Sequence, residues 1–228
     1  MRKKVLQKTD FYNIMDFELS DALEEKTCPI CFLVQKSEYK YMNTLFYEFV
    51  NDPGIRRKLR KSCGFCTKHA QLAKKMDNHL GVAIIYQDIC STIIEKMEKE
   101  KEIPSLGERC PLCELADEVE KDYLQIFIEN FSHKNFQDRY RQSFGLCMHH
   151  FLAVYSRLSE QGEKDTLKQY QMDSLRKYSS ELEEFIRKHD YRFSNEKFSQ
   201  EATSWRKVVD KLAGKLLSAR VMEEKRLT

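Results

Sequence analysis

The chain has 228 residues, of which 41% are hydrophobic and 33% are charged, and its formal net charge is only +3. The apolar content is enough for a folded core, whereas the small net charge gives no sign of a nucleic-acid partner. No apolar run approaches the roughly 18–20 residues that a membrane-spanning helix needs. The first eight residues contain basic side chains but no apolar core, so we expect no secretory signal and a cytoplasmic protein.

Helix breakers are scarce, with seven glycines and four prolines in the chain. No convincing run of strict apolar–polar alternation is present, so no sheet is expected and the predicted fold class is all-α. In the first half, Asn51–Gly54 interrupts the helical pattern and Gly64 ends a short basic helix. The helices predicted in this half cover residues 29–50, 55–62, a segment from 66, and 79–99.

Residues 98–109 are charged, contain Pro104 and Gly107, and form the best candidate for a linker. Beyond it the same order of helices recurs, followed by two more helices with an amphipathic pattern. We expect Gln161 and Gly162 to end the third of these helices. The helices predicted in this half cover residues 111–132, 135–143, a segment from 147, 164–189 and 202–216.

Two copies of one cysteine–histidine pattern are the strongest signal in the chain. Each copy has a C-P-x-C segment, which begins at Cys28 or Cys110, and a C-x-x-H segment, which begins at Cys66 or Cys147. Three cysteines and one histidine are the ligand set of a closed tetrahedral zinc site. The predicted ligands of two zinc ions are Cys28, Cys31, Cys66, His69, Cys110, Cys113, Cys147 and His150.

The repeat extends beyond these ligands. With Asp52 treated as a one-residue insertion, apolar and polar positions of the two copies match, so shared hydrophobic patterning alone does not explain them. We interpret the pattern as an internal duplication: residues 1–99 and 100–163 form two helical zinc units, and residues 164–228 form C-terminal helices that pack on them. The matched pairs are Leu33 and Leu115, Glu38 and Glu120, Tyr41 and Tyr123, Phe49 and Phe131, Arg60 and Arg141, Ser62 and Ser143, and Gly64 and Gly145.

Each zinc site is predicted to be built within one copy. Both ligand pairs of a copy begin helices, where backbone N–H groups and the helix dipole favour a thiolate. A shorter loop between the two pairs costs less closure entropy than a longer one, which favours the local arrangement. An iron–sulfur cluster and a redox-active dithiol are the alternatives to zinc.

The remaining cysteines and histidines receive simpler interpretations. Cys63 matches Phe144 of the other copy, so it is not expected to be a required ligand, although a nearby free thiol could take part in redox chemistry. Cys90 lies in an apolar helical stretch and is predicted to be buried. His150 matches His69 and is the better ligand, with its neighbour His149 as the alternative.

Several segments resemble a prokaryotic family of unknown function whose members carry doubled CPxC and GxCxxH motifs and a tryptophan near the C-terminus, here Trp205. The resemblance covers nearly the whole chain. It implies a bacterial or archaeal cytosolic origin and no particular activity. The segments that carry it are Cys28–Cys31, Asn51–Gly54, Gly64–Ala70, Leu80–Tyr86 and Arg187–Arg192.

Two functions fit the sequence. The first is a helical adaptor protein with structural zinc that binds a protein partner, since complete ligand sets leave no open position for catalysis. The second is a redox- or metal-responsive regulator in which the thiolates release zinc on oxidation.

The basic run Arg56–Lys61 suggests nucleic-acid binding, but the matching run Gln137–Gln142 is much less basic, so a solvated helix face is the better interpretation. The chain shows no HExxH motif or phosphate-binding glycine loop, which argues against an enzyme without excluding one. The sequence does not indicate the oligomeric state.

Overall fold

In the computed structural model, residues 8–100 and 108–216 are described, and all of their regular structure is helical. This confirms the predicted all-α class. A π-helical turn, Lys96–Glu100, continues α5, and two 3₁₀ turns, Tyr191–Phe193 and Gln200–Thr203, precede the last helix. The α-helices are α1 (Lys8–Ala22), α2 (Pro29–Glu48), α3 (Pro53–Lys61), α4 (Thr67–Ala73), α5 (His79–Glu95), α6 (Pro111–Phe131), α7 (Lys134–Gln142), α8 (Met148–Arg157), α9 (Gln161–Lys188) and α10 (Ser204–Ala213).

The helix starts follow local chemistry that is visible in the sequence. Pro29 and Pro111 are the first residues of α2 and α6, where the missing N–H of proline removes no intrahelical bond. Asp52 caps α3, and its carboxylate accepts a hydrogen bond of 2.8 Å from the backbone N–H of Ile55. The predicted break between α2 and α3 is therefore confirmed.

Helix α1 was not predicted, and three boundaries of predicted helices differ from the prediction. The third helix of the second half ends at Arg157, because Leu158 turns to an extended backbone (ψ 137°) and buries its side chain. Gly162 lies in the first turn of α9 instead of ending α8, and no neighbouring atom lies within 4 Å of the Cβ position there. The last helix is shorter than expected, since Gly214 takes a left-handed φ of +80° and stops α10. The central part of the predicted linker, residues 101–107, lies outside the described residues.

The chain divides into two compact units that do not follow the order of the copies in the sequence. Among the described residues, the first unit consists of 8–33 and 121–216, and the second consists of 34–100 and 108–120. Both boundaries fall inside long helices, α2 and α6. Each unit thus takes segments from both copies.

An aromatic cluster forms the core of the first unit. Phe127 lies at its centre, with ring centroids at 5.3 Å from Phe136, 5.3 Å from Tyr140 and 5.7 Å from Phe131. The contacts with Phe136 and Tyr140 are edge-to-face, an arrangement that stabilises aromatic pairs beyond their buried area. This cluster joins α6 to α7 and so fixes the segment that leads into Cys147.

Close packing of α5 on α2 organises the second unit. A Cβ atom at Gly81 would lie 2.6 Å from the backbone oxygen of Phe46, so only glycine allows this approach. Asn78 strengthens the contact, because its side chain caps α5 by accepting from Gly81 N–H at 2.8 Å and donates to the same Phe46 oxygen at 3.0 Å. Ile85 and Ile89 of α5 are buried in this unit.

Candidate metal centres

Two equivalent turns place the C-x-x-H segments. Gly64 and Gly145 match in the repeat, and both have left-handed backbones, with φ values of +95° and +75°. The serine two residues earlier stabilises each turn: Ser62 donates to Gly64 O at 2.8 Å, and Ser143 accepts from Gly145 N–H at 3.0 Å. The duplication inferred from sequence therefore has a counterpart in backbone conformation.

After each turn, a cysteine occupies the N-cap position of a short helix. Cys66 precedes α4 and Cys147 precedes α8, with nearly identical backbone angles of φ −63°, ψ 167° and φ −67°, ψ 166°. The histidine three residues later, His69 or His150, lies on the same face of the first helical turn. Each C-x-x-H segment is thus preorganised to present one sulfur and one imidazole together.

The first candidate metal centre combines Cys28 and Cys31 with Cys147 and His150, all in the first unit. The Nδ1 atom of His150 lies 3.3 Å from the sulfurs of Cys28 and Cys31, and 3.2 Å from the sulfur of Cys147. The sulfurs of Cys31 and Cys147 are 3.7 Å apart. Three of the four residues are buried.

The second candidate metal centre combines Cys66 and His69 with Cys110 and Cys113, all in the second unit. The Nδ1 atom of His69 lies 3.3 Å, 3.4 Å and 3.5 Å from the sulfurs of Cys66, Cys110 and Cys113. The sulfurs of Cys66 and Cys113 are 3.5 Å apart. Both centres therefore have the same ligand set and the same liganding nitrogen.

These separations fit one tetrahedral ion in each centre. With a metal–sulfur bond of about 2.3 Å and a metal–nitrogen bond of about 2.0 Å, tetrahedral angles put sulfurs about 3.8 Å apart and sulfur and nitrogen about 3.5 Å apart. The observed values lie within a few tenths of an ångström of these edges, and all four atoms of each centre lie within 4.8 Å of one another. A cluster of several irons has no room between sulfurs this close, so the geometry favours a single ion.

The prediction that each site is built within one copy is wrong for the ligand clusters. In both centres, the C-P-x-C segment of one copy meets the C-x-x-H segment of the other. Cys28 and Cys31 are paired with Cys147 and His150 instead of Cys66 and His69. All eight predicted ligands are brought into the two clusters, but with the partners exchanged.

Helix length explains the exchange. At 1.5 Å per residue, the 20 residues of α2 carry the chain about 30 Å away from Cys28. The following segment packs beside the later part of the same helix, where the rings of Phe46 and Phe65 meet at 6.3 Å. The loop between exchanged partners is less than four times as long as the loop between local partners. This difference raises the free energy of loop closure by only about 1 kcal/mol. Loop entropy is therefore too weak to impose the local arrangement.

A buried carboxylate orients the histidine of the second centre. Glu38 is 2% exposed and lies 2.9 Å from Nε2 of His69 and 2.6 Å from Nζ of Lys68. Burial alone would raise the pKa of the Glu38 carboxyl, but the hydrogen bonds from His69 and Lys68 lower it below its ordinary value. An Nε2–H donated to Glu38 leaves Nδ1 of His69 free to bind a metal. Sequence analysis did not assign this role, although the match of Glu38 to Glu120 was a signal for it.

One thiolate of the second centre, Cys110, is stabilised before any metal binds, whereas burial and the neighbouring sulfurs of Cys66 and Cys110 raise the pKa of Cys113 to about 12. Burial works against the charged form of Cys110, but hydrogen bonds from His69 and from backbone N–H groups lower the pKa of this thiol to about 6. The pKa of His69 is raised to about 9, because the Cys110 thiolate and Glu38 outweigh the effect of burial. A metal ion that binds Nδ1 at neutral pH therefore displaces a proton from His69.

We expect Glu38→Gln to weaken metal binding at the second centre by about 10- to 100-fold, the usual effect of removing such a supporting partner. The amide still accepts a hydrogen bond but no longer carries the negative charge that makes the imidazole of His69 a stronger donor to the metal. Competition with a chromophoric chelator measures the affinity. Glu95→Gln, which removes a carboxylate from an exposed ion pair with Lys99, is the matched control and should leave the affinity unchanged. Equal effects of the two variants would show that Glu38 does not support the metal.

A buried lysine and a close backbone accompany the first centre. Lys211 of α10 is 1% exposed, and its Nζ donates to the backbone oxygen of Phe144 at 2.9 Å. Burial lowers the pKa of Lys211 to about 8, although the charges of Cys28 and Cys147 oppose this shift. A Cβ atom at Gly214 would lie 3.3 Å from the sulfur of Cys31. The end of α10 thus lies beside the sulfurs of this centre.

The other cysteines and the alternative histidine fall outside both clusters. Cys90 is exposed, so the prediction that it is buried is wrong: it lies on the outer face of α5, whereas Ile85 and Ile89 face inward. Cys63 is half-buried, with a left-handed φ of 52° at the end of α3. His149 is exposed, and its neighbour His150 supplies the ligand atom of the first centre.

The basic run on α3 has ion-pair partners within its own unit. Arg60 contacts Asp88 at 2.6 Å, and Arg56 contacts the same carboxylate at 3.4 Å. Lys61 pairs with Glu108 at 2.7 Å. These contacts agree with the interpretation of the run as a structural, solvated helix face.

Comparison with known proteins places the chain in a family. The profile of the family of unknown function DUF6062 matches the chain twice, over residues 11–108 and 100–219. The chain belongs to this family. The double match agrees with the internal duplication, and the membership confirms the resemblance noted in the sequence.

The DUF6062 chain also resembles an uncharacterised 23.9 kDa protein in the xynA 3′ region of Caldicellulosiruptor sp. (strain Rt8B.4). The two are 26% identical over 199 residues, which cover 84% of this chain and 97% of the relative. No solved structure matches the chain. Within the part of the chain that the structure describes, no helix is long and apolar enough to cross a membrane.

Proposed function

We propose that this DUF6062 protein is a helical adaptor whose two metal centres each hold a structural zinc ion. The convergence of three sulfurs and one imidazole nitrogen in each centre carries the proposal. Zinc favours this donor set and a four-coordinate geometry. The residues that would hold the two ions are Cys28, Cys31, Cys147 and His150, and Cys66, His69, Cys110 and Cys113.

A structural role is supported by the completeness of the ligand sets. Four protein ligands fill the coordination positions of zinc, so no position is left for water or substrate. Each ion would instead tie together two helix starts that are far apart in sequence, which converts metal-binding energy into folding energy.

We expect two zinc ions per chain in protein purified without chelators. Elemental analysis measures the amount and identity of the metal, and a cobalt-substituted sample reports coordination through its visible spectrum. Thermal unfolding with and without a strong chelator measures the contribution of the metal to stability. Iron in place of zinc, or one ion or fewer after expression with ample zinc, would contradict the proposal.

An exposed apolar face on α10 supports the adaptor function. Trp205, Val209 and Leu212 follow one another at spacings of four and three residues, so they share one side of the helix. All three are exposed, with Val209 at 56% and Leu212 at 49%. An aligned apolar row of this kind is typical of a surface that binds a protein partner.

If this face binds a partner, Val209→Glu should abolish capture of that partner from cells of the source organism without lowering the melting temperature. A charge in the middle of an apolar interface is costly when it is buried, whereas in the free protein the side chain remains in water. Leu152→Glu changes an equally exposed residue on α8 and is the control. If the wild type and Val209→Glu captured identical sets of proteins, the exposed apolar face of α10 would not be the surface that binds the partner.

The thiolate ligands also favour the cytoplasm, where cysteines stay reduced. The regulator function remains a prediction. Cys63 lies three residues before Cys66 in the chain, and the comparison of Cys63→Ser with wild type for zinc release by peroxide would test it.

A further inference from the structure

A cleft beside the first metal centre has features of a ligand site. It has a volume of about 270 Å³ and lies between the end of α7 with its following turn, residues 140–145, and the α9 segment from Tyr170 to Tyr178. Lys211 of α10 also lines it. All of these residues belong to the first unit. The volume suits a small molecule rather than a protein segment.

Positive charge dominates the lining of this cleft. Arg141, Lys177 and Lys211 are its cations, whereas Asp173 is its one carboxylate. Asp173 already accepts a hydrogen bond from Gln169 at 2.8 Å and lies 3.4 Å from Arg176, and neither of these residues lines the cleft. Among the described residues, none of the three cations forms an ion pair, and Arg141 only stacks over the ring of Tyr170 at 5.8 Å.

The buried ammonium group of Lys211 is the most informative of these cations. Its one hydrogen bond to a described residue goes to Phe144 O, whereas an ammonium has three N–H donors. A charge buried this deeply is costly unless it is paired. The sulfurs of the first metal centre offset part of that cost, and an anion in the cleft would satisfy the remaining donors.

We propose that this cleft binds a small ligand that carries a phosphate group. A phosphate monoester has two negative charges at neutral pH, which match the excess of cations over carboxylates in the lining. Its three terminal oxygens can meet Arg141, Lys177 and Lys211 from different directions. A carboxylate has only one charge and two oxygens, so it would leave one of the cations unmatched.

The test uses the full-length, metal-loaded protein, desalted to remove free metal, with phenyl phosphate as the probe in isothermal titration calorimetry. We expect saturable binding with a stoichiometry of one. Lys177→Gln should weaken it about tenfold, which corresponds to about 1.4 kcal/mol. Lys177 is exposed, so this change should leave the fold intact. Lys168→Gln removes the same charge from an exposed position of α9 outside the cleft and should have little effect.

Benzoate, which has the same ring and a carboxylate, separates the two anion chemistries and should bind at least tenfold more weakly. Equally tight binding of benzoate would overturn the assignment to phosphate. Equal weakening by Lys177→Gln and Lys168→Gln would show general attraction to a basic surface and would overturn the site. The absence of saturable binding at about 10 mM phenyl phosphate, a free energy weaker than roughly 3 kcal/mol, would do the same.

Discussion

Replacing Cys66 and Cys113 together by serine should remove one metal ion per chain, whereas replacing Cys28 and Cys66 together should remove both. The first pair lies in a single centre, and the second pair takes one ligand from each centre. Sites built within each copy would give the opposite result, because Cys28 and Cys66 would then share one ion. Elemental analysis of the two double variants therefore decides between exchanged and local ligand pairing.

The same variants should lose much of their stability. Because the metal ties distant helix starts, the loss of one centre should lower the melting temperature by about 10 °C or more, given a shift of about 2–4 °C per kcal/mol in a chain of this size. Cys90→Ser changes an exposed cysteine outside the centres and is the control for thiol removal. An unchanged melting temperature in the Cys66 and Cys113 variant would show that the second centre does not stabilise the fold.

A single methyl group added at Gly81 should destabilise the protein by about 1–3 kcal/mol, the usual cost of overpacking. The added Cβ would lie 2.6 Å from Phe46 O and 2.8 Å from the Asn78 side chain, and the first of these is a backbone atom that cannot rotate away. Gly81→Ala should therefore force α5 away from α2 and lower the melting temperature measured by circular dichroism.

Gly162→Ala gives the matched control with the opposite sign. This glycine lies in the first turn of α9, and no atom beyond the adjacent residues and backbone of its own helix lies within 4 Å of its Cβ position. Alanine there should raise stability by about 0.4–1 kcal/mol, because it restricts the unfolded chain without a clash. If the two variants were equally stable, the contact between α5 and α2 would not be as close as the structure shows.

Sequence patterns predicted those parts of the fold that depend on neighbouring residues. Pro29 and Pro111 start helices, Asn51–Gly54 separates α2 from α3, and Gly64 follows the end of a short helix, because each effect operates within a few residues. The repeated spacing also identified every residue that the structure gathers into the two clusters. Cys90 was predicted to be buried but is exposed on α5, because an apolar stretch alone does not show which residues face the core.

Pairing between distant segments was beyond these patterns. Cys31 pairs with Cys147 instead of Cys66 because the long helix α2 carries the following residues away from Cys31. The difference in loop-closure free energy, about 1 kcal/mol, is too small to decide the pairing. The support of His69 by Glu38 likewise requires two helices to meet. The sequence signal for that contact was the match of Glu38 to Glu120 in the repeat. The sequence alone did not show that Glu38 contacts a histidine.

Exchanged pairing also bears on how such a chain could arise by duplication. One copy of the repeat contains both a C-P-x-C and a C-x-x-H segment, yet the geometry seen here never joins the two segments of one copy. An ancestor with a single copy could complete this arrangement only as a homodimer, with two identical sites shared between subunits. Fusion of two such genes would place both halves on one polypeptide, so that assembly no longer depends on protein concentration.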